Sequence, residues 1–171
     1  MKSTMLATED NTMNSIIREA QPGDLDAIVE IDRQVSGVKK TRYWRDRLEH
    51  YGGNGNSEFF LVAEREPGVI GFIMGEIRAW EFGSPSCGWV YAIGVARQNL
   101  QEGVGSKLLD ALCAQFRHAG VIKVRTMIAR QDHELLSFFR SYGMMAGPFQ
   151  QLELDLDSLP AGENTACGMD S

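Results

Sequence analysis

Residues 88–109 read GWVYAIGVARQNLQEGVGSKLL, and this stretch decides the fold. The apolar run from Gly88 to Val95 predicts a buried strand, and a short polar turn follows it. A helix then begins beside Gly103 and Gly105. The apolar residues of this helix recur four apart on one face: Val104, Leu108, Leu112 and Phe116.

The turn between strand and helix predicts an anion site. The first N–H groups of a helix lack intrahelical partners, and glycines let a diphosphate approach them closely. A Walker phosphate loop is excluded because Ser106 separates Gly105 from Lys107, and a dinucleotide fingerprint fails because Leu108 replaces its third glycine. A plain turn whose glycines serve only packing remains the alternative.

Two motifs resemble the GNAT superfamily of acyl-CoA-dependent N-acetyltransferases. In the first, Val95, Gly103 and Gly105 match a strand followed by Val-x-Pro and Gln/Arg-x-x-Gly-x-Gly/Ala, although Arg97 replaces the proline and Leu100 replaces Gln or Arg. The second is a predicted helix at 132–144, which resembles Asn-x-x-Ala-x-x-Phe-Tyr-x-x-x-Gly-Phe. There Asp132, Phe139 and Met144 replace the usual asparagine, tyrosine and final aromatic residue.

The resemblance implies an α/β fold with a mostly antiparallel, six- to seven-stranded mixed sheet. Its central parallel strands splay around the cofactor, and helices cover both faces. We predict one domain at 15–157, a flexible arm at 1–14 and a flexible tail at 158–171. Patterning predicts strands at Ser15–Ala20, Phe59–Arg65, Val69–Trp80, Gly88–Val95, Val121–Ala129 and Phe149–Leu156.

Composition excludes several classes of protein. The formal net charge of −6 argues against nonspecific binding to nucleic acid, and no segment has the length and apolarity of a membrane span. Cys87, Cys113 and Cys167 show no metal-ligand spacing, so we expect no metal and a cytoplasmic protein with reduced thiols. The basic segment 39–47 favours a solvated helix face over a phosphate or partner site. The resemblance implies that the aromatic residues of this segment line the acceptor pocket.

The resemblance implies acetyl-CoA as cosubstrate, held mostly by main-chain groups. On the strand, Ile93 and Val95 would pair with pantetheine, and one of their N–H groups would stabilise the oxyanion. The predicted cofactor-binding residues are Ile93, Val95, Leu100, Gln101, Glu102, Gly103, Val104, Gly105, Ser106, Asp132, Phe138 and Phe139.

The catalytic side chains are less well defined, because Phe139 cannot donate a proton from the position of the usual tyrosine. Three candidates remain, each with a structural alternative. Glu76 shares strand parity with Phe72 and Met74 and could act as a base through water, or it is an exposed carboxylate. Tyr91 could orient a water or donate a proton, and Tyr142 could donate a proton to the departing thiolate. The structural alternative for each tyrosine is packing in the core.

The predicted function is transfer of an acetyl group from acetyl-CoA to a primary amine, by direct attack in a ternary complex. The acceptor is a small-molecule amine or a protein amine, and a homodimer is possible. A catalytically weak acyl-CoA-binding regulatory module is the first alternative, favoured by Leu100 and Phe139. A structural domain without cofactor is the second, and Gly103 and Gly105 count against it.

Overall fold

The computed structural model describes residues 15–51, 57–79 and 81–158. Within them one sheet has the order β1-β2-β3-β4-β5, antiparallel except for the parallel pair β4–β5. The predicted arm at 1–14, and the predicted tail except Ser158, lie outside these residues. The elements are β1 (Ile16–Glu19), α1 (Leu25–Ser36), α2 (Thr41–His50), β2 (Glu58–Arg65), β3 (Gly68–Arg78), β4 (Cys87–Val95), α3 (Val104–His118), β5 (Val124–Thr126) and α4 (His133–Ser141).

Helices cover both faces of the sheet, as predicted for a mixed α/β fold. On one face α1 and α2 bury a cluster around Trp44, Phe60 and Phe72. On the other face α3 and α4 bury a cluster around Leu108 and Phe116. Each cluster consists of the apolar stripe of its helices and the alternate residues of the strands, which is the burial that the two sequence periods predict.

A β-bulge at Tyr91 opens the sheet at its centre. Met74 pairs with Ala92 but Gly75 pairs with Val90, so Tyr91 is the extra residue in β4. Before the bulge β4 bonds to the β5 side, where Lys123 O accepts from Gly88 N–H. Beyond Val90 the parallel pairing stops. The bulge re-aims the strand and leaves the far half of β4 with a free edge toward β5.

The described sheet has fewer strands than expected, and two strand predictions are corrected. The run Val121–Ala129 pairs only at Val124–Thr126, because β4 and β5 diverge past the bulge. The predicted closing strand Phe149–Leu156 is wrong, since these residues pair with no strand and end in a 3-10 turn at Leu156–Ser158. The side chains of Leu152 and Leu154 are 85% and 65% exposed. Alternation identifies a possible strand face but supplies no hydrogen-bonding partner.

An ion-paired carboxylate ties β1 to the turn before α1. Both carboxylate oxygens of Asp24 accept from Arg18 at 2.8 and 2.9 Å, and Gln21 N–H also donates to Asp24. The Arg18 hydrogen bonds hold the pKa of Asp24 below its usual range. Because folding lowers this pKa, the stabilisation is complete above the unfolded-state pKa and is lost as pH falls through the folded-state value.

We expect Asp24→Asn to lower the free energy of unfolding at pH 7. The difference from wild type should shrink as the solution is acidified below the unfolded-state pKa of aspartate, which lies near 4. Urea unfolding at several pH values measures both quantities. If the difference in free energy of unfolding between wild type and Asp24→Asn stayed constant down to the pH of acid unfolding, the ion pair of Asp24 with Arg18 would not be the source of the stabilisation.

Candidate functional site

The free edge of β4 presents main-chain donors to the gap between the parallel strands. Ala96 N–H donates to Ile70 O at 2.9 Å, toward β3. Because backbone groups alternate along a strand, the N–H groups of Val95 and Ile93 point to the opposite side, where β5 has already diverged. Among the described residues these two amide donors have no main-chain partner, and their spacing suits an extended ligand.

A cavity of about 860 Å³ begins at this gap and extends over the first turn of α3. Gly103 has φ 75° and Gln101 has φ 67°, so the chain makes two left-handed residues before the helix. The first bond of the helix runs from Lys107 N–H to Gly103 O. The amides of Val104, Gly105 and Ser106 precede that bond and belong to the unpaired donors of a helix N-terminus.

Gly105 also permits close packing at the cavity wall. A Cβ placed on Gly105 would lie 3.2 Å from Phe138 Cε2, so a side chain there would push the ring of α4 outward. Phe138 lines the cavity beside this glycine. The second glycine of the motif therefore lets the start of α3 lie in close contact with α4.

Glu102 anchors the loop from behind. Its carboxylate accepts from Arg65 Nη2 at 2.8 Å and from Asn99 Nδ2 at 3.3 Å. These donors lower the pKa of Glu102, with Arg65 the larger cause. The side chain turns toward β2 and does not line the cavity, which directs a negative charge away from the amides of α3.

A second cavity, of about 360 Å³, adjoins the first. Both are lined by Ile93 and Leu135, so they meet beside the free edge of β4. The wall of the second cavity is largely apolar, with five aromatic residues and one acidic and one basic side chain. Its principal lining residues are Asp32, Lys40, Tyr43, Trp44, Tyr91 and Phe139.

The three candidate catalytic side chains separate in space. Tyr91 lines the second cavity with its ring, and among the described residues its buried hydroxyl has no hydrogen-bond partner. Burial raises the pKa of Tyr91. Glu76 accepts from Arg78 Nε at 2.6 Å, and Tyr142 donates to Asp110 at 2.5 Å on α3. Neither Glu76 nor Tyr142 lines either of these two cavities, and Tyr142 packs against the core cluster of α3, which is the position that its structural alternative predicts.

Most of the predicted cofactor residues meet around the larger cavity. Glu102 is turned away, and Phe139 lines the smaller cavity instead. Sequence reasoning missed lining residues that come from distant parts of the chain or differ from the motif. The end of α1 reaches the turn between β4 and α3, where Arg97 Nη2 donates to Gln34 O at 3.0 Å. Motif spacing carries no signal for such a contact. The missed residues are Gln34, Val35, Gly94, Arg97, Asn99, Glu134 and Leu135.

The described ranges contain neither a metal-binding cluster nor a membrane-spanning helix. Residues 15–51, 57–79 and 81–158 contain no cluster of three or more His, Cys, Asp or Glu side chains able to hold a metal ion. None of the helices in those ranges has the length and apolarity needed to cross a membrane.

Solved structures share this architecture at low sequence identity. An aminoglycoside acetyltransferase from an uncultured soil metagenomic sample, solved with sisomicin, is 19% identical, with a TM-score of 0.65 over 82% of this chain and 94% of that one. Aminoglycoside N-acetyltransferase AAC(6')-Iy in complex with CoA is 15% identical, with a TM-score of 0.73 over 84% and 95%. PaiA N-acetyltransferase from Thermoplasma acidophilum, in complex with coenzyme A, is 18% identical, with a TM-score of 0.68 over 81% and 94%.

At these identities the likeness establishes the fold. A search of curated proteins returns no match. The sequence model of the acetyltransferase (GNAT) family matches residues 25–144, which include β4, the turn between β4 and α3, and α4. The chain belongs to the acetyltransferase (GNAT) family.

Proposed function

We propose that this protein transfers the acetyl group of acetyl-CoA to the nitrogen of a primary amine. One observation carries the proposal: two cavities meet at Ile93 and Leu135, beside the free main-chain donors of β4. The larger cavity has the size and donors for the cosubstrate, and the smaller one has room for a compact amine. CoA in the complexes of AAC(6')-Iy and PaiA supports the choice of cosubstrate.

The residues of the larger cavity fit a diphosphate and a pantetheine arm. Amides at the start of α3 offer donors and partial positive charge to phosphate oxygens. Leu100 offers no side-chain donor, whereas the main chain from Gly103 to Ser106 lines the cavity. The N–H groups of Ile93 and Val95 are suited to pair with amide carbonyls of an extended arm.

The chemistry depends on positioning more than on acid–base side chains. Acetyl-CoA supplies an activated thioester carbonyl when it is bound. An amine must lose its proton to attack, and solvent water accepts it, because Glu76 is ion-paired with Arg78 outside the smaller cavity. Burial raises the pKa of Tyr91 and makes its hydroxyl a weaker acid, but the hydroxyl is protonated at neutral pH and Tyr91 lines the smaller cavity, so it can supply a proton there and cannot act as the base. Juxtaposition of the two cavities supplies the main rate gain.

Of the three candidates we therefore retain Tyr91 as the proton donor and expect Glu76 to be dispensable. Tyr91→Phe should lower kcat at least about tenfold without changing the affinity for acetyl-CoA, because one proton-transfer group is lost. Glu76→Gln serves as the matched variant and should leave kcat and its pH profile unchanged. Steady-state thiol release measures both. A normal kcat in Tyr91→Phe would leave main-chain positioning as the whole of catalysis.

The acceptor and the assembly state remain proposals. The sisomicin complex of the metagenomic acetyltransferase supports an amine acceptor here. A homodimer stays a prediction from the family resemblance. The second candidate function is an acyl-CoA-binding regulatory module with weak catalysis, which Phe139 favours because that side chain cannot supply the usual proton.

Calorimetric titration with acetyl-CoA and with free CoA tests the proposal first. Micromolar binding of both, followed by thiol release on addition of primary amines, is the expected result. Binding without thiol release across a broad amine panel would favour the regulatory module. Absence of binding to either ligand would contradict both functions.

A further inference from the structure

A buried carboxylate in the smaller cavity has no role in the chemistry described above. Asp32 is 7% exposed and lines the cavity from α1. Its Oδ2 accepts from Trp44 Nε1 at 2.8 Å and from Lys40 Nζ at 3.0 Å. A buried carboxylate requires partners, and here one partner is a fixed indole and the other is a long, flexible side chain.

Lys40 belongs to the connection between α1 and α2, and its side chain is 38% exposed. It also lines the cavity. Its ammonium is the same chemical group that a primary amine carries at neutral pH. A half-exposed ion pair is weak, so the lysine side chain can leave for solvent at small cost while the indole holds the carboxylate in place.

We propose that Asp32 binds the ammonium group of the incoming acceptor and that Lys40 occupies this position until the acceptor displaces it. The bound ammonium gives its proton to solvent water before the nitrogen attacks the thioester. This inference rests on the proposed function, because it assigns the acceptor subsite of the same enzyme. The predicted consequence is competition: the apparent affinity for an amine is reduced by the fraction of molecules in which Lys40 is bound to Asp32.

The surroundings of the cavity select the class of amine. The acidic side chains nearby are balanced by cations, Glu58 by Arg47 at 3.9 Å and Glu76 by Arg78 at 2.6 Å. Asp32 is the one acidic residue among the described residues that line the cavity, so a polycation would find a single carboxylate for several ammonium groups. The walls that remain are aromatic, chiefly Tyr43, Trp44, Tyr91 and Phe139. The acceptor is accordingly a compact monoamine with an apolar or aromatic body.

The test measures amine binding by calorimetry at pH 7 in the absence of CoA. The probes are 2-phenylethylamine, the neutral alcohol 2-phenylethanol, and the polycation kanamycin. The proteins are wild type, Lys40→Met and Asp32→Asn, with Lys39→Met as control because Lys39 is an exposed neighbour. Asparagine at position 32 retains an oxygen that accepts from Trp44, and thermal unfolding checks that each variant folds.

We expect Lys40→Met to bind 2-phenylethylamine about three- to tenfold more tightly than wild type, because the competing ammonium is gone. Asp32→Asn should bind it at least about tenfold more weakly. Lys39→Met should match wild type, and 2-phenylethanol should not distinguish the variants. Kanamycin should bind more weakly than 2-phenylethylamine.

Unchanged or weaker amine binding in Lys40→Met would overturn the displacement, and unchanged binding in folded Asp32→Asn would overturn the carboxylate site. The proposal that the acceptor is a compact monoamine would be overturned by either of two results. One is tighter binding of kanamycin than of 2-phenylethylamine, and the other is no binding of 2-phenylethylamine to wild type and Lys40→Met. Titration of the same variants with acetyl-CoA separates this result from the proposed function. If acetyl-CoA does not bind wild type, the proposed function is refuted. If acetyl-CoA binds normally but the amine affinities of the variants differ from those expected above, only the acceptor subsite is refuted.

Discussion

Gly103→Glu should lower the affinity for acetyl-CoA by at least about 100-fold, because it places a carboxylate beside the position that we propose for the diphosphate. Gly103 precedes α3 with φ 75°, and a Cβ there would meet no atom within 4 Å. The substitution therefore creates no steric clash within the protein itself. Its effects are backbone strain of about 1 kcal/mol and a negative charge at the helix mouth. Calorimetric titration measures the loss.

Gly120→Glu is the matched control for this experiment. Gly120 has φ 80°, is equally open, and follows the opposite end of α3. Both variants should lower the thermal midpoint by similar amounts, but Gly120→Glu should bind acetyl-CoA like wild type. Equal affinities in the two variants would show that the loop does not hold the cosubstrate.

Phe116→Ala should lower the free energy of unfolding by about 3–5 kcal/mol, the usual cost of removing a buried aromatic side chain. Phe116 is fully buried on α3 and packs edge-to-face with Phe59, at a centroid distance of 5.4 Å. Its ring lies directly on two glycines of the sheet. A Cβ on Gly88 would lie 2.6 Å from Phe116 Cε2, and one on Gly75 would lie 2.7 Å from Cζ. Urea unfolding measures the change.

A double-mutant cycle with Gly88→Ala isolates this contact. In wild type the added methyl overpacks the core and should cost about 1–3 kcal/mol. In the Phe116→Ala background the same methyl enters the space vacated by the ring, so its cost should largely disappear. Additive losses in the double variant would show that the ring does not rest on the sheet at Gly88.

The local pattern of the sequence was sufficient for the helices and for the long strands. Runs of β-branched and aromatic residues defined β2 and β3, because such side chains favour a pleated strand, and a stripe four residues apart defined α3, because burial of one helix face imposes that period. The turn with Gly103 and Gly105 led to the proposed diphosphate site for a similar reason, since the first amides of a helix have no intrahelical partners. The family match over 25–144 agrees with that motif.

Strand pairing could not be predicted from the sequence in the same way, as the two corrected strand predictions show. The alternation of Phe149–Leu156 satisfies the strand period, but these residues have no neighbouring strand to bond with. The run Val121–Ala129 has the apolar composition of a long strand, yet a one-residue bulge at Tyr91 in another strand ends its pairing after three residues. Strand partners are set by the whole sheet and leave no mark on the strand's own sequence.

The sequence by itself determined the family fold, the order of its helices and longer strands, and the loop that we propose for the diphosphate, because each follows from local periodicity and backbone chemistry. Only the tertiary structure decided the smaller cavity, where we propose that the acceptor binds. It brought Asp32, Lys40 and Trp44 together, turned Glu102 toward Arg65, and set Tyr142 against α3. These contacts join residues on separate elements, and their geometry depends on how helices pack across a sheet rather than on any spacing along the chain.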